Sequence, residues 1–285
     1  MSAKSVVWVH PFGPAVASYR YRAQIPCEQV GKINGYTTAI NDGEADIVVF
    51  SKPTVEQMEL LKKVKDEGAT IVVDFSDDHF NHSRAGPVYR DFVAAADHIV
   101  TGSDVMRGRI YDYVKRDSTV LPDPYEQDEI APHADGEELL WFGHSLNLPE
   151  IMQMSDTLQG RKVKIASGPI SPNGGPVIWG PEALGKALAE ANVVLLPTIP
   201  GASYKTPNRL MNAIRSGCFA VCMPHPAYTE FQDYVWVGDF LTGLRWIDVF
   251  HMDLNDCVLS AQDYIRDRYS PEAIGRKWAS YFDSL

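Results

Sequence analysis

The chain has 285 residues and a formal net charge of −11 at pH 7. Its 45% hydrophobic and 22% charged residues are typical of a soluble globular protein, and its length is enough for two domains of ordinary size. The acidic balance argues against broad attraction to nucleic acid or to an anionic membrane. Only a local basic patch on the surface would bind nucleic acid or an anionic membrane.

Four cysteines are spread along the chain without the close spacing of a metal site. They are Cys27, Cys218, Cys222 and Cys257. We expect buried free thiols, which suit a reducing cytoplasm. The first ten residues, MSAKSVVWVH, are too short and polar for a secretory signal, and no apolar run reaches the length of a membrane span. We therefore expect a cytoplasmic protein without a membrane-spanning segment.

Short apolar runs alternate with helix-length amphipathic segments over residues 1–122. The predicted strands are SVVWV, YTTAI, ADIVVFS, ATIVVDF, DHIVTG and STVLP. Helices are predicted around YRYRAQIPCEQVGKIN, TVEQMELLKKVKDEG, VYRDFVAAA and DVMRGRIYDYV. Runs of β-branched residues that alternate with helices predict parallel βαβ units, and therefore an α/β domain with a doubly wound sheet.

Residues 123–138, DPYEQDEIAPHADGEE, interrupt this alternation. They are acidic, contain two prolines and have no apolar period, which predicts a linker. A second α/β domain follows over 139–268, with the strands LLWFG, KVKIAS, PVIWG, NVVLLP and CFAVCM and the helices LPEIMQMSDTL, PEALGKALAEA and NDCVLSAQDYIRDRY. Residues 269–285 form a last predicted helix.

The loop after the first predicted strand holds the first candidate residues, because ligands of doubly wound sheets bind at the carboxyl ends of strands. His10 ends this strand, and Gly13 lies in the following turn, where backbone can approach a ligand closely. Arg20 and Arg22 lie two residues apart on a helix, so their side chains should diverge. The turn is not a GxGxxG fingerprint. An ordinary turn followed by surface arginines is the alternative.

A second loop, DFSDDHFNH, carries Asp77, Asp78 and His79 just after a strand that ends at Asp74. Carboxylates and an imidazole this close should perturb one another's pKa values. They suit a general base or a clamp for an acceptor hydroxyl. A cap for the next helix is the structural alternative, and nothing else in the sequence supports a metal site.

A third loop, WFGHSLNLPEI, gathers Gly143, His144 and Ser145 ahead of a predicted helix. Hydrogen-bond donors at the start of a helix suit a phosphate group. Simple capping of the helix is the alternative.

A fourth stretch, KTPNRLMNAIRSG, begins a helix with cations, although a helix N-terminus already carries partial positive charge. Thr206 is predicted as the N-cap, and the next residue, a proline, as the first helical position. Asn208, Arg209 and Asn212 fall on one stripe, opposite an apolar face. We expect Lys205, backbone N–H groups and Arg209 to hold a diphosphate, and Asn212 to reach a ribose. A solvated helix face is the alternative.

The ordered set of these segments resembles the GT-B glycosyltransferases, especially the retaining, family-four-like group (glycosyl transferases group 1). SYRYRAQIP, VVDFSDDHF and ADHIVTGSDVMRGRI are similar to segments of the N-terminal domain of that family. LLWFG, WGPEALGKALAEANVVLLPT and YKTPNRLMNAIRSGCFAV are similar to segments of its C-terminal domain. The resemblance covers nearly the whole chain. It implies two Rossmann-like domains facing each other across a cleft, with helix 269–285 packing back towards the N-terminal domain.

The resemblance also implies a donor in the C-terminal domain, an acceptor in the N-terminal domain and no required metal. The expected donor is a UDP- or GDP-sugar. One departure stands out, because Tyr204 and Asn212 occupy the places of two family Glu residues. The first Glu usually touches the donor sugar and the second the ribose. The candidate ribose or sugar contacts are therefore Tyr204, Asn208 and Asn212.

We therefore predict a glycosyltransferase that moves a hexose or pentose from a nucleoside diphosphate sugar to an unidentified acceptor. The predicted diphosphate contacts are Gly13, Gly143, His144, Ser145, Lys205 and Arg209. The candidate bases for an inverting reaction are Asp77, Asp78, His79 and His10, whereas a retaining reaction would use the leaving phosphate. The predicted acceptor contacts are Tyr19, Arg20 and Arg22.

Two alternatives share this scaffold. Loss of the paired Glu pattern suits a catalytically weakened protein that only binds nucleotide sugars, and a sugar-nucleotide epimerase has the same architecture. A phosphorylase normally carries a pyridoxal lysine on a much longer chain, so we rank it below both. A nucleic-acid acceptor is less favoured by the acidic charge but stays open.

Overall fold

The computed structural model describes residues 3–126, 130–133, 136, 138–154, 158, 160–167, 181–250 and 253–285. Contacts divide the chain into two units. Unit 1 comprises Met1–Glu126, Tyr204–Thr206 and Arg268–Leu285, and unit 2 comprises Gln127–Ser203 and Pro207–Asp267. Residues 123–126, predicted as part of the linker, thus group with unit 1. The predicted strand PVIWG lies outside the described residues.

Unit 1 contains a six-stranded parallel sheet in the order β2-β1-β3-β4-β5-β6. Its strands are β1 (Lys4–Val9), β2 (Tyr36–Ile40), β3 (Ile47–Ser51), β4 (Thr70–Phe75), β5 (His98–Thr101) and β6 (Thr119–Val120). The central strands β3 and β4 are almost entirely buried, as expected for a sheet covered on both faces. β1 pairs with β2 on one side and with β3 on the other. The strand order therefore switches between β1 and β3.

Seven helices in the described part of unit 1 follow or flank these strands. They are α1 (Ala17–Tyr19), α2 (Ile25–Gly31), α3 (Met58–Glu67), α4 (Ala85–Ala95), α5 (Asp104–Val114), the C-terminal α11 (Pro271–Asp283) and a π-helical turn (Arg20–Gln24) between α1 and α2. A 3₁₀ turn, Val55–Gln57, leads into α3. On α11, Trp278 packs edge-on against Trp8 of β1, with ring centroids 5.8 Å apart.

Unit 2 contains a five-stranded parallel sheet in the order β11-β10-β9-β7-β8. Its strands are β7 (Leu139–Gly143), β8 (Val163–Ser167), β9 (Val193–Leu196), β10 (Phe219–Cys222) and β11 (Trp236–Val237). Its helices are α6 (Leu148–Met152), α7 (Pro181–Ala189), α8 (Asn208–Arg215), α9 (Phe240–Phe250) and α10 (Leu254–Tyr269), whose last two residues group with unit 1. Unit 2 also contains the 3₁₀ turns Ser145–Asn147 and Pro226–Phe231. The two-residue strand β11 was not predicted.

Helix α8 has the predicted apolar face but a different start. Its buried residues include Leu210, Met211, Ala213 and Ile214. The helix begins at Asn208 with Pro207 at the N-cap position, so the prediction of Thr206 as N-cap is wrong. The Thr206 hydroxyl instead donates to Asp123 Oδ2 at 2.7 Å, within unit 1.

The predicted α/β class with two doubly wound sheets is confirmed. The four cysteines are free thiols, three of them buried. Within the described ranges, no helix combines the length and apolar character needed to cross a membrane.

Candidate functional site

Asp77, two residues beyond β4 in unit 1, lies between two lysines. Its carboxylate pairs with Lys52 Nζ at 2.9 Å and with Lys205 Nζ. Burial raises the pKa of Asp77, but the charges of Lys205 and Lys52 more than offset this and hold the pKa well below its usual range. The carboxylate is therefore ionised at neutral pH and is a weak base.

The neighbouring Asp78 is also engaged by a cation. Its Oδ2 accepts a hydrogen bond from Arg109 Nη1 at 2.6 Å. The Arg109 guanidinium lies 5.0 Å from the centre of the Tyr204 ring, and Lys205 Nζ lies 5.1 Å from the same centre. The negative π-face of the Tyr204 ring therefore attracts both cations. In the family that the sequence resembles, a carboxylate occupies this position.

The two candidate imidazoles of unit 1 are neutral at neutral pH. Burial lowers the pKa of His10 to about 4, and the charge of Lys52 acts in the same direction. Burial also lowers the pKa of His79, although the Asp77 carboxylate opposes that shift. The rings of His10 and Tyr19 pack edge-on, with centroids 5.5 Å apart.

Arg22 has a structural role rather than the predicted contact with an acceptor. The residue is only 2% exposed. Its Nε and Nη2 donate to the two oxygens of Asp74 at 2.9 and 2.6 Å, and its Nη1 donates to Asp123 Oδ1 and to Leu121 O. Arg20 diverges from it, as predicted, and pairs with Glu126. We therefore withdraw Arg22 from the candidate acceptor contacts.

In unit 2, Arg209 of α8 lies against the carboxyl end of β7. Its Nη2 donates to Phe142 O, and its Cζ lies 5.6 Å from the ring centre of Trp141. A Cβ atom on Gly143 would lie 3.5 Å from both Cζ and Nη2 of this guanidinium. The loop after β7 therefore lies in van der Waals contact with Arg209, and a side chain at Gly143 would press on the Trp141 ring, 3.2 Å away.

Arg209 differs from the cations of unit 1 because no carboxylate pairs with it among the described residues. Its Nε is buried and has no hydrogen-bond partner in that part of the chain. Burial lowers the pKa of Arg209 below the ordinary value for arginine. Arginine nevertheless stays protonated in proteins. The charge of Glu150 raises the pKa of Arg209 in part, but Glu150 forms no ion pair with it, so this partly buried cation has no paired anion among the described residues.

The other predicted residues of unit 2 lie on the same two elements. His144 is exposed, and Ser145 begins the 3₁₀ turn after β7. Asn208 and Asn212 are half-buried, one helical turn apart on α8. The structure thus brings Arg209 to the Gly143 loop, while Gly13, Tyr204 and Lys205 group with unit 1.

Sequence reasoning missed Lys52 and Arg109, which pair with the two carboxylates after β4. Lys52 directly follows β3, and its position at the carboxyl end of a strand was the available indication. Arg109 lies inside α5, where an isolated arginine looks like any solvated residue. Within the described ranges, no group of three His, Cys, Asp or Glu residues is arranged to hold a metal ion.

No family model matches the sequence, and no curated protein matches it by sequence. Solved structures do match the fold. Anabaena Alr3699/HepE in complex with UDP and glucose is similar at a TM-score of 0.73 and 9% identity, over 99% of this chain and 100% of that chain. An alpha-glucosyltransferase in complex with UDP-glucose and DNA containing an abasic site is similar at a TM-score of 0.70 and 10% identity, over 98% of this chain and 99% of that chain.

A putative UDP-N-acetylglucosamine 2-epimerase from Listeria monocytogenes is similar at a TM-score of 0.57 and 11% identity, over 100% of this chain and 98% of that chain. Its TM-score is lower than those of the two transferases. The predicted resemblance to GT-B proteins is thereby confirmed for the fold. The chain has the GT-B fold, with two parallel α/β sheets.

Proposed function

We propose that this chain is a glycosyltransferase that uses a nucleoside diphosphate sugar as its donor, and that the donor binds to unit 2. Two structures with the same fold hold UDP with glucose or UDP-glucose. A UDP-sugar is accordingly the first donor to test, and a GDP-sugar is the second. The acceptor is unidentified in this proposal.

The observation that carries the proposal is Arg209, a cation at the carboxyl edge of a doubly wound sheet with no carboxylate partner among the described residues. Carboxyl edges of such sheets are where ligands bind, and guanidinium groups form strong charge-assisted hydrogen bonds to phosphate oxygens. The leaving diphosphate gains charge in the transition state. A preorganised cation and the donors of the loop Gly143–Ser145 would stabilise that charge.

The side chains of Asn208 and Asn212 are the proposed ribose contacts. A neutral amide has both a donor and an acceptor for hydroxyl groups, but it binds them more weakly than a carboxylate does. The roles of Gly13 and Lys205 at the diphosphate stay predictions, because Lys205 already pairs with Asp77.

During transfer, the acceptor oxygen bonds to the anomeric carbon while the bond from that carbon to the diphosphate breaks. The proton of the acceptor hydroxyl passes to a base if the reaction inverts, or to the leaving phosphate if it retains. Asp77 and Asp78 are weak candidates for the base because cations already pair with both. His79 is neutral at neutral pH and is our preferred base for an inverting reaction.

Calorimetry with UDP, GDP and their glucose conjugates tests the proposal, followed by Arg209→Leu. Removing one charge-assisted contact should weaken nucleotide binding and donor turnover by about 10²-fold. Arg245→Leu is the matched control, because Arg245 is exposed on α9 of the same unit and loses the same charge. Equal nucleotide affinity in Arg209→Leu and the wild type, both folded, would overturn the assignment.

The similarity to a putative epimerase supports a second candidate function. Incubation of the protein with UDP-N-acetylglucosamine alone distinguishes the two. An epimerase changes the configuration of the sugar without an acceptor, whereas a transferase releases UDP. Tight nucleotide-sugar binding without either product, over many acceptors, would indicate a binding protein.

A further inference from the structure

A cavity of about 520 Å³ opens at the carboxyl edge of the unit 1 sheet. Its wall includes His10 after β1, Asn41 after β2, and Glu56 and Gln57 in the turn that follows β3. The site therefore lies where the strand order switches, which is where doubly wound sheets bind ligands. Its volume falls in the range of about 300–1,000 Å³ that small-molecule pockets occupy.

The wall of this cavity is held in place by side-chain hydrogen bonds. Asn41 Oδ1 accepts a hydrogen bond from His10 N at 2.8 Å, and Asn41 Nδ2 donates to His10 O at 3.3 Å. Asn41 has a φ of 60°, a left-handed conformation that Asn tolerates better than most residues do. The ends of β1 and β2 are thus fixed relative to each other without any ligand.

Two side chains of the wall each keep a buried N–H group without a partner. Gln57, 7% exposed, accepts the Thr54 N–H through Oε1 at 2.9 Å, which identifies its other terminal atom as the amide nitrogen. That Nε2 is buried and has no hydrogen-bond partner among the described residues. An unsatisfied buried donor destabilises the fold, so an acceptor oxygen from a ligand would be favoured here.

His10 supplies the second unpartnered donor. The residue is 3% exposed, and its Nδ1 accepts the Phe12 N–H at 3.2 Å. Nδ1 also lies 3.4 Å from Phe12 O, a longer contact, and we assign the single hydrogen of the neutral ring to Nε2 on the shorter of the two. His10 Nε2 is likewise buried without a partner in the described part of the chain. This tautomer makes Nε2 a hydrogen-bond donor rather than a base.

The rest of the lining is apolar or acidic. Phe12 is 43% exposed and offers an aromatic face, while Glu56 offers an exposed carboxylate that is ionised at neutral pH. None of the described lining residues is Lys or Arg. Lys52 lies near the Phe12 ring, but its charge is paired with Asp77 at 2.9 Å. An anionic ligand would therefore meet a carboxylate and gain no free cation.

From this chemistry we infer that the cavity is an acceptor subsite for an uncharged, hydroxyl-rich ring, that is, a carbohydrate. Ring oxygens or hydroxyl oxygens accept from Gln57 and His10, hydroxyl hydrogens donate to Glu56, and an apolar ring face packs on Phe12. Naming the occupant an acceptor rests on the proposed transferase function. Binding of the sugar itself needs no donor, so the two proposals can fail separately.

Saturation-transfer NMR on the full chain without nucleotide tests this inference. The probes are glucose, galactose, N-acetylglucosamine and maltose, compared with glucose 6-phosphate, glucuronate and a single-stranded DNA oligomer. We expect at least one neutral sugar to bind and the anionic probes not to displace it. Failure of every neutral sugar to bind, or equal competition by an anionic probe, would overturn the inference.

Gln57→Glu is the decisive variant. The new carboxylate can still accept a hydrogen bond from Thr54 N–H, but an oxygen replaces the amide nitrogen that has no partner. It should weaken sugar binding about tenfold, equivalent to about 1.4 kcal/mol. Gln232→Glu makes the same change at an exposed site of unit 2 and should have no effect. Unchanged sugar affinity in folded Gln57→Glu would place the sugar elsewhere.

Phe12→Ala offers a second variant on an exposed side chain, where loss of folding is not expected. Sugar affinity should fall several-fold, and Phe250→Ala, at 44% exposure in α9, is the control. If sugars bind here but no nucleotide sugar binds to the protein, the transferase proposal fails and this site stands. If UDP binds through Arg209 but no sugar binds, the transferase proposal stands and this subsite is wrong.

Discussion

The cations near the carboxyl ends of the strands are balanced differently in the two units. In unit 1, Arg22, Lys52, Arg109 and Lys205 each pair with an aspartate. In unit 2, Arg209 contacts a carbonyl oxygen and aromatic rings, and no carboxylate among the described residues pairs with it. A cation that is already neutralised serves the fold, whereas an unneutralised one is available to an anion.

This difference in charge balance is the basis of the two proposals. We propose that the carboxyl edge of the unit 2 sheet binds a diphosphate. The cavity of unit 1 has unpartnered neutral donors and an exposed carboxylate, so it is matched to a neutral polar compound. The two proposals therefore assign an anionic donor to unit 2 and an uncharged acceptor to unit 1.

The largest expected effect on stability comes from Arg22→Leu. The change removes the guanidinium that pairs with the buried carboxylates of Asp74 and Asp123, which should lower the free energy of unfolding by about 3–5 kcal/mol. Urea unfolding followed by circular dichroism measures the loss. Arg20→Leu is the control, because its pair with Glu126 is about one-fifth exposed and should contribute about 1 kcal/mol or less. If both variants lose a similar free energy of unfolding, Arg22 does not have the special structural role that we assign to it.

Asp77→Asn should have a smaller effect that depends on pH. The folded-state pKa of Asp77 lies below its unfolded value of about 3.9, so its contribution is complete above that pH and is lost as the pH falls through the folded-state pKa. At neutral pH the variant should lose about 1.5–3 kcal/mol, the range for hydrogen bonds to charged groups. Its stability should therefore fall less steeply than that of the wild type below pH 4.

Urea unfolding at a series of pH values measures this difference. Asp91→Asn, at an exposed position of α4, is the control and should follow the wild type. Parallel profiles for Asp77→Asn and the wild type would show that the lysines do not stabilise this carboxylate.

Most of the fold was predictable because β-branched runs and amphipathic segments report burial directly. Strands such as IVVFS and TIVVDF are buried along nearly their whole length, and their composition alone predicts that. The strand Trp236–Val237 was missed because two residues carry no periodic pattern. The N-cap of α8 was misplaced because Thr206 bonds to Asp123, a tertiary partner that local sequence does not reveal.

The site was predictable only as a set of loops. The loops after β1, β4 and β7 were located correctly because strand ends are visible in the sequence. The partners of the charged residues were not, since Arg22, Asp74 and Asp123 are far apart along the chain and meet only in the folded core. The cavity donor Gln57 was missed for the same reason, because a single glutamine before a helix looks like an ordinary polar residue.

The smallest of these effects is expected from Gly143→Ala. The added methyl group would lie 3.2 Å from Trp141 Cζ2, so this ring must shift by a few tenths of an ångström, and 3.5 Å from the Arg209 guanidinium, which is an ordinary contact. The Arg209 guanidinium lies 5.6 Å from the centre of the Trp141 ring, so we expect a shift of the ring to disturb the cation. UDP affinity measured by calorimetry should fall several-fold, while stability should change by only about 0.5 kcal/mol. Gly185→Ala in α7 is the control, because no atom lies within 4 Å of its added methyl group and alanine favours a helix. Loss of UDP affinity only in Gly143→Ala would tie the nucleotide to the edge of the sheet where Arg209 lies, whereas unchanged affinity in both variants would argue that the nucleotide does not approach this loop.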